Sequence, residues 1–324
     1  MPRTHKAALP LLAAALGTAL AACGGNPQEP AATVATPATA EVQTPAVSAS
    51  DAVHAFGIGP LQATALRDGS LSVPNDNAVF GVGLTPDQVS AVLSGASLDI
   101  DALHLSVQPL LVRADDRVML FDAGAGRMMG DSAGRLGQAL EAAGVAPEQV
   151  TDVFISHAHG DHVGGLVDAR DALAFANATV HISQPEWDDL QAQATGGDAG
   201  MATLVAAITP KVSTFAPDAE LVPGLVQSVP TPGHTPGHVS FRIRGGSDAL
   251  LYVGDVVHHQ VVSVQRPQWT LVFDRDAAAA AAQRTRVLEQ AAASGERLYA
   301  VHFPFPGLGR IQRGGDGQLA WVPE

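Results

Sequence analysis

The chain has 324 residues, with 18 Lys and Arg against 32 Asp and Glu, a formal net charge of −14. That acidic balance excludes a nucleic-acid partner held by a basic footprint. Its 46% hydrophobic content excludes a disordered chain, and a single cysteine excludes any internal disulfide.

The amino terminus predicts export. Arg3, His5 and Lys6 precede an apolar run from Ala7 to Ala19, then Leu20-Ala21-Ala22-Cys23. A basic start, a short apolar stretch and small residues before a cut site describe a secretory signal. The run is too short for the ~20 residues a spanning helix needs, and Pro10 interrupts it. With cysteine at the cut, the pattern resembles a bacterial lipoprotein signal. It implies a signal peptide over 1–22, lipidation at Cys23 and a membrane anchor. Gly24 in place of aspartate fits the outer membrane, facing the periplasm. The stretch 23–50, rich in Ala, Pro and Thr, reads as a tether that cannot bury enough surface to offset ordering entropy. Residues 51–324 then form one catalytic domain.

Along that domain, Ala63–Leu66 and Leu71–Val73, separated by Asp68-Gly69, read as a hairpin. Thr85-Pro86-Asp87-Gln88 opens a short helix ending near Gly95. Leu103–Val112 and Val118–Phe121, joined through Ala114-Asp115-Asp116, read as a second hairpin. Ser132–Ala143, Gln184–Ala194 and Asp198–Ile208 read as helices. Asp274 is expected to cap the Ala-rich helix Asp276–Ala293, which Gly295 stops. Val239–Ile243 gives a further strand, and Ile311–Val322 a last hairpin.

The chemistry concentrates in His157-Ala158-His159-Gly160-Asp161-His162, three imidazoles and a carboxylate within six residues. Neutral imidazole is the commonest protein ligand for zinc-like ions, and carboxylate accompanies it in catalytic sites. The segment before it, Val150–Ser156, is apolar and β-branched like a buried strand. Val163-Gly164-Gly165-Leu166 behind it permits close backbone approach, so the cluster sits on a loop at a strand end. Downstream, His234, Asp255 and His302 each follow or interrupt an apolar run in the same manner.

His-x-His-x-Asp-His followed by His, Asp and His at strand ends resembles the metallo-β-lactamase-fold hydrolases. The resemblance covers most of the chain after about residue 54. It implies an α/β fold, a four-layer αβ/βα sandwich, with two divalent metal ions per chain. His157, His159 and His234 would hold one ion. Asp161, His162 and His302 would hold the other, and Asp255 would bridge both. Zinc is the default metal, with Fe, Mn or Co as alternatives. Two such ions roughly 3.5–4 Å apart share a hydroxide, since coordination lowers the pKa of water towards ~7. Asp161 and Asp255 are the candidate catalytic carboxylates, orienting that nucleophile or moving its proton.

The bridging aspartate makes the site resemble lactonases, glyoxalase-II-type thioesterases and organophosphate hydrolases rather than true β-lactamases. Phe121-Asp122-Ala123-Gly124-Ala125-Gly126, Gly233-His234-Thr235-Pro236-Gly237-His238 and the segment from His302 to Gly309 resemble methyl parathion hydrolases most. The implied substrate is a small hydrophobic ester, lactone or phosphotriester. A β-lactamase, a thioesterase and a non-catalytic metal-binding lipoprotein are the alternatives. Acyl-homoserine lactonases carry a tyrosine three residues after the bridging aspartate, where this chain has His258. That histidine is either a substrate donor or a support for a ligand. Asp122 is either a support for the metal loop or a turn residue. Trp187 and Phe303 are candidates for pocket lining, with core packing as the alternative. His238 is expected to be structural, and His104 and His181 packed or surface histidines. The oligomeric state is left open, a dimer among the options.

Overall fold

The computed structural model describes residues 49–324, which belong to a compact unit running from Ala46 to Glu324. The signal segment, Cys23 and nearly all of the tether lie outside the described residues. Among the described residues no helix is long and apolar enough to cross a membrane.

After a first turn of helix, α1 (Ala49–Ala52), the hairpin β1 (Val53–Ile58) and β2 (Leu61–Leu66) opens the domain. β3 (Gly69–Pro74), helix α2 (Pro86–Gly95) and β4 (Ala102–Val107) follow, β3 and β4 forming a separate two-stranded ribbon. Then come β5 (Leu110–Ala114), β6 (Arg117–Phe121), α3 (Leu136–Ala142), β7 (Asp152–Ile155), α4 (Gly160–Val163) and β8 (Thr179–Ser183). Helices α5 (Gln184–Thr195) and α6 (Ala199–Ile208) lead to β9 (Val212–Phe215). These complete a seven-stranded sheet in the order β1-β2-β5-β6-β7-β8-β9.

The second half contributes β10 (Glu220–Val222), β11 (Val226–Pro230), β12 (Val239–Gly245), β13 (Asp248–Tyr252), α7 (Val262–Gln265), α8 (Ala277–Ser294), β14 (Arg297–Tyr299), β15 (Leu308–Arg313) and β16 (Leu319–Pro323). Their seven strands pair in simple chain order to make the second sheet.

Burial is nearly continuous along the central strands, as in β7, because both faces of each sheet are covered. Met119, Phe121 and Phe154 of the first sheet meet Phe241, Leu250 and Tyr252 of the second in one shared cluster. Leu120, Val153 and Ile155 point the other way, onto Leu136, Leu140, Leu190 and Leu204 of the helices. Leu251 and Leu298 face Val287 and Leu288 of α8. The layers therefore run helix, sheet, sheet, helix, as the resemblance implied. Each fully buried aromatic such as Phe121 or Phe154 contributes roughly 1.5–3 kcal/mol through burial.

Four local expectations fail for identifiable reasons. β2 and β3 do not pair: β2 lies between β1 and β5, and β3 pairs with β4. Asp68, expected in a turn, is fully buried and accepts N–H groups from Ala125, Gly134 and Leu136, so it redirects the chain between sheets. The same bonds delay α3, whose regular part begins at Leu136 rather than Ser132. The run Leu103–Val112 is broken at Gln108-Pro109, where the Gln108 amide donates to the carbonyls of Ala300 and Phe303. Finally, Asp276 caps α8 by accepting from Ala279 N, not Asp274, and Gly295 ends it in a left-handed conformation.

Candidate metal centre

Each sheet has a parallel pair at its middle, β6 with β7 and β13 with β14, aligned Phe121 to Phe154 and Tyr252 to Tyr299. Parallel pairing puts the carboxyl ends of both strands on one edge, where α/β sheets assemble their sites. Asp122 follows β6, Ser156 and His157 follow β7, Asp255 follows β13 and His302 follows β14. His234 reaches the same edge from the loop between β11 and β12. His159 precedes α4, whose single turn carries Asp161 and His162.

The donors fall into two groups that share Asp255. His157 Nε2 and His234 Nε2 lie 3.5 and 3.2 Å from Asp255 Oδ2, and His234 Nε2 is 2.9 Å from His159 Nδ1. On the other side, His162 Nε2 and His302 Nε2 lie 3.1 and 3.0 Å from Asp255 Oδ1. Asp161 Oδ2 is 3.6 and 3.5 Å from those same two nitrogens. Two ligands held about 2.0–2.1 Å from a tetrahedral zinc are separated by about 3.3 Å, so both groups have the spacing of a closed coordination shell. His157 Nε2, His162 Nε2 and Asp255 Oδ1 are buried without a hydrogen-bond partner. Buried polar atoms are almost always satisfied, and cations at the two group centres account for these three at once.

Outer partners turn the lone pairs inward. His162 Nδ1 donates to Asp122 Oδ2 at 2.7 Å, His302 Nδ1 to the Ser106 carbonyl at 2.7 Å and His234 Nδ1 to Asp274 Oδ1 at 2.9 Å. Ser156 Oγ donates to Asp122 and so accepts from His157 Nδ1 at 3.1 Å. With Nδ1 so engaged, all four rings turn Nε2 towards the centre, where a cation could take the place of its proton. Asp122 is thus a support and not a turn residue. It is fully buried and also accepts from Ser156 N and the Tyr252 hydroxyl, both at 2.7 Å.

Electrostatics agree with a demand for positive charge at the centre. Burial is the largest influence on each imidazole and favours its neutral form. It prevails at His157, held well below the usual histidine range, and at His159, lowered to about 4, both also facing neighbouring imidazoles. At His234 the Asp255 and Asp274 carboxylates overcome burial and raise the ring to about 9. Asp255 and Asp161 likewise raise His162 and His302. Burial pushes the Asp255 carboxyl up, but the surrounding imidazoles, His162 and His302 foremost, hold it well below the carboxylate range. Protons on three imidazoles or two divalent cations would serve the same carboxylates.

Two further residues tie the loops together, and neither carries a sequence signal. Glu186, buried in the first turn of α5, accepts from Ala158 N at 2.7 Å, Thr235 Oγ1 at 2.7 Å and Gly237 N at 3.0 Å. It joins the His157–His162 loop to the His234 loop. Gly237 must lack a side chain, since a Cβ there would lie 2.1 Å from Glu186 N, and a Cβ on Gly233 would lie 2.3 Å from Ala280 N. Arg284, buried in α8, donates to Asp274.

His258 lies in the centre, its Nε2 2.9 Å from Asp255 Oδ2 and its ring stacked on His302. Asp255, His258 and His302 also form a third group able to hold an ion. Trp187 and Phe303 are corrections to the pocket expectation. Trp187 belongs to the core beneath α5 with Leu190 and Ile182, and Phe303 packs edge-on against Trp321. Both are large rings with more apolar surface to bury behind the site than in it. His104 is exposed beside Asp99, and His181 stacks on Phe154.

The sequence model of the metallo-beta-lactamase superfamily matches residues 105–302, a span that holds all seven donors. The probable metallo-hydrolase YqgX of Bacillus subtilis is 26% identical over 146 residues, 44% of this chain and 63% of that protein. The chain covers less than two thirds of the length of the curated relatives that it matches most strongly. Among solved structures, AidC, a dizinc quorum-quenching lactonase in complex with a product N-hexanoyl-L-homoserine, is 29% identical with a TM-score of 0.77. Hydrolase AbOPH in the beta lactamase superfamily is 27% identical with a TM-score of 0.76. Each of these two alignments covers 84% of this chain and 97% of the other.

Proposed function

Because this chain belongs to the metallo-beta-lactamase superfamily and is a metallo-hydrolase by fold, we propose that it cleaves small hydrophobic esters, lactones or phosphotriesters with two divalent metal ions. The observation that carries the reading is the division of six donors into two groups of three, one on each oxygen of Asp255. His157, His159 and His234 would hold one cation, and Asp161, His162 and His302 the other. Bound there, the pair supplies Lewis acidity and water of lowered pKa. The chain's own part is orientation and proton handling. The partners behind each imidazole fix the donors. Asp161, the more open of the two ligand carboxylates, would accept a proton released at the site through the oxygen not turned to the cation. His258 stands where acyl-homoserine lactonases carry a tyrosine, and its Nε2 supports Asp255 in this arrangement; donation to substrate oxygen would require it to leave that carboxylate.

The branch of methyl parathion hydrolase and lactonase-like enzymes is favoured by Asp255 as a shared ligand and by the likeness to a dizinc lactonase. The same aspartate separates this reading from β-lactam hydrolysis. Zinc is the first metal to supply, with Fe, Mn and Co as alternatives. We place the enzyme in the bacterial envelope, anchored through Cys23, on the strength of its amino-terminal pattern alone.

The test is turnover by the purified chain, metals counted, on aryl esters, aromatic and acyl-homoserine lactones, a paraoxon-type phosphotriester, a glutathione thioester and nitrocefin. His157→Ala and Asp255→Ala should abolish turnover in folded protein. Activity confined to nitrocefin or the thioester would sink the substrate class. Turnover retained by both metal-stripped variants would sink the metal mechanism.

A further inference from the structure

Asp274 and Arg284 are an ion pair with side chains 0% and 3% exposed, and they lie directly behind one ligand. Asp274 divides its oxygens: Oδ1 accepts from His234 Nδ1 and Oδ2 from Arg284 Nη2, each at 2.9 Å. The rest of the guanidinium holds one segment of chain. Nε donates to the Val256 carbonyl at 2.9 Å, one residue past the shared Asp255, and Nη1 to the carbonyls of Pro267 and Trp269. One side chain of α8 therefore braces both His234 and the backbone beside Asp255. Removing two charges from water is a poor way to gain stability alone, because an apolar pair of similar volume packs as well. A carboxylate behind an imidazole, by contrast, fixes its tautomer and raises its basicity towards a cation. His157, of the same group, leans on a hydroxyl instead.

We propose that Asp274 and Arg284 form a positioning pair that sets how tightly the His157, His159 and His234 group grips its cation, separately from the Asp161, His162 and His302 group. This rests on the two-cation reading above. The proposed role is affinity and selective occupancy of one site, not contact with substrate.

The experiment counts metal in the full chain after equilibration with Zn(II) or Co(II) against graded chelator, and reads the visible Co(II) spectrum. The unsubstituted chain should hold two ions. Asp274→Asn should hold the first ion as before and lose affinity for the second about 10–100-fold, with loss of one Co(II) component. The paired variant Asp274→Asn/Arg284→Gln leaves no buried charge unpaired and should show the same selective loss. A folded Asp274→Asn with both affinities unchanged, or both lowered together, overturns the proposal. So does failure of both variants to fold, which would assign the pair to the scaffold. An unsubstituted chain that holds fewer than two ions overturns the two-cation reading itself, before any variant is made.

Discussion

His238 Nε2 accepts the backbone N–H of Asp255 at 2.9 Å, while its Nδ1 donates to Thr231 Oγ1 at 2.8 Å. Both ring nitrogens are committed, so this histidine cannot be a ligand although it lies among ligands. Its work is to hold the shared carboxylate where the two groups meet. Replacing it with alanine strands a buried N–H, which costs roughly 1–3 kcal/mol. His238→Ala should lower the unfolding free energy read from urea denaturation by that amount and loosen both metals about 10–100-fold. Metal counting and urea denaturation on one preparation check it. Unchanged metal affinity would remove His238 from the site.

The candidate donors His157, Asp255 and His302 are legible because each follows an apolar run, and strand ends are visible in one sequence. Asp122 was legible for the same reason, as the residue after β6. What the sequence could not show were contacts across long separations. Glu186 looks like an ordinary acid in a helix's first turn, and only the fold brings it to Ala158 and Gly237. Asp274 sits two residues before the true cap, Asp276, and has the composition of a cap without its position. Asp68-Gly69 has turn composition but is an anchor for the loop before α3, so the strands beside it were paired wrongly. Trp187 and Phe303 are close in sequence to functional elements, and burial decided their place instead.

Glu186 gives a prediction that isolates geometry from charge. Its carboxylate receives three donors and offers none, and burial raises its pKa against those hydrogen bonds. Glu186→Gln keeps the shape but points an N–H₂ at a donor. The clash leaves at least one buried group unpaired, about 1–3 kcal/mol. Thermal denaturation should show the loss, and kcat/KM should fall with it because two ligand loops move apart. Wild-type stability in Glu186→Gln would mean that the loops do not depend on this staple.

Metal removal should destabilise the domain. A ligand that binds only the folded state adds about 4.1 kcal/mol when present at 1,000 times its Kd. Without cations, the imidazoles and carboxylates around Asp255 have only protons to balance them. Exhaustive chelation should lower the Tm and readdition of Zn(II) restore it. An identical melting curve with and without chelator would show that the centre contributes nothing to folding.

Acid should weaken the fold at a point remote from the metals. Asp152 opens β7 and is buried, which pushes its carboxyl up. Hydrogen bonds from His181, Thr151 and Arg117 outweigh this and bring it down from 3.8 to about 2. A carboxyl lowered in the folded state binds its proton more readily when unfolded, so its contribution is full above pH 3.8 and disappears as pH falls towards 2. Arg117 Nη1 meets both oxygens, at 3.0 and 2.9 Å, and the pair joins the ends of β6 and β7. In Asp152→Asn this part of the acid dependence should vanish, with the greatest loss of stability near neutral pH and convergence with the parent chain towards pH 2. Urea denaturation of chelated protein across that range separates the effect from metal release, which also occurs in acid. Parallel curves for the two proteins would show that Asp152 is not the group responsible.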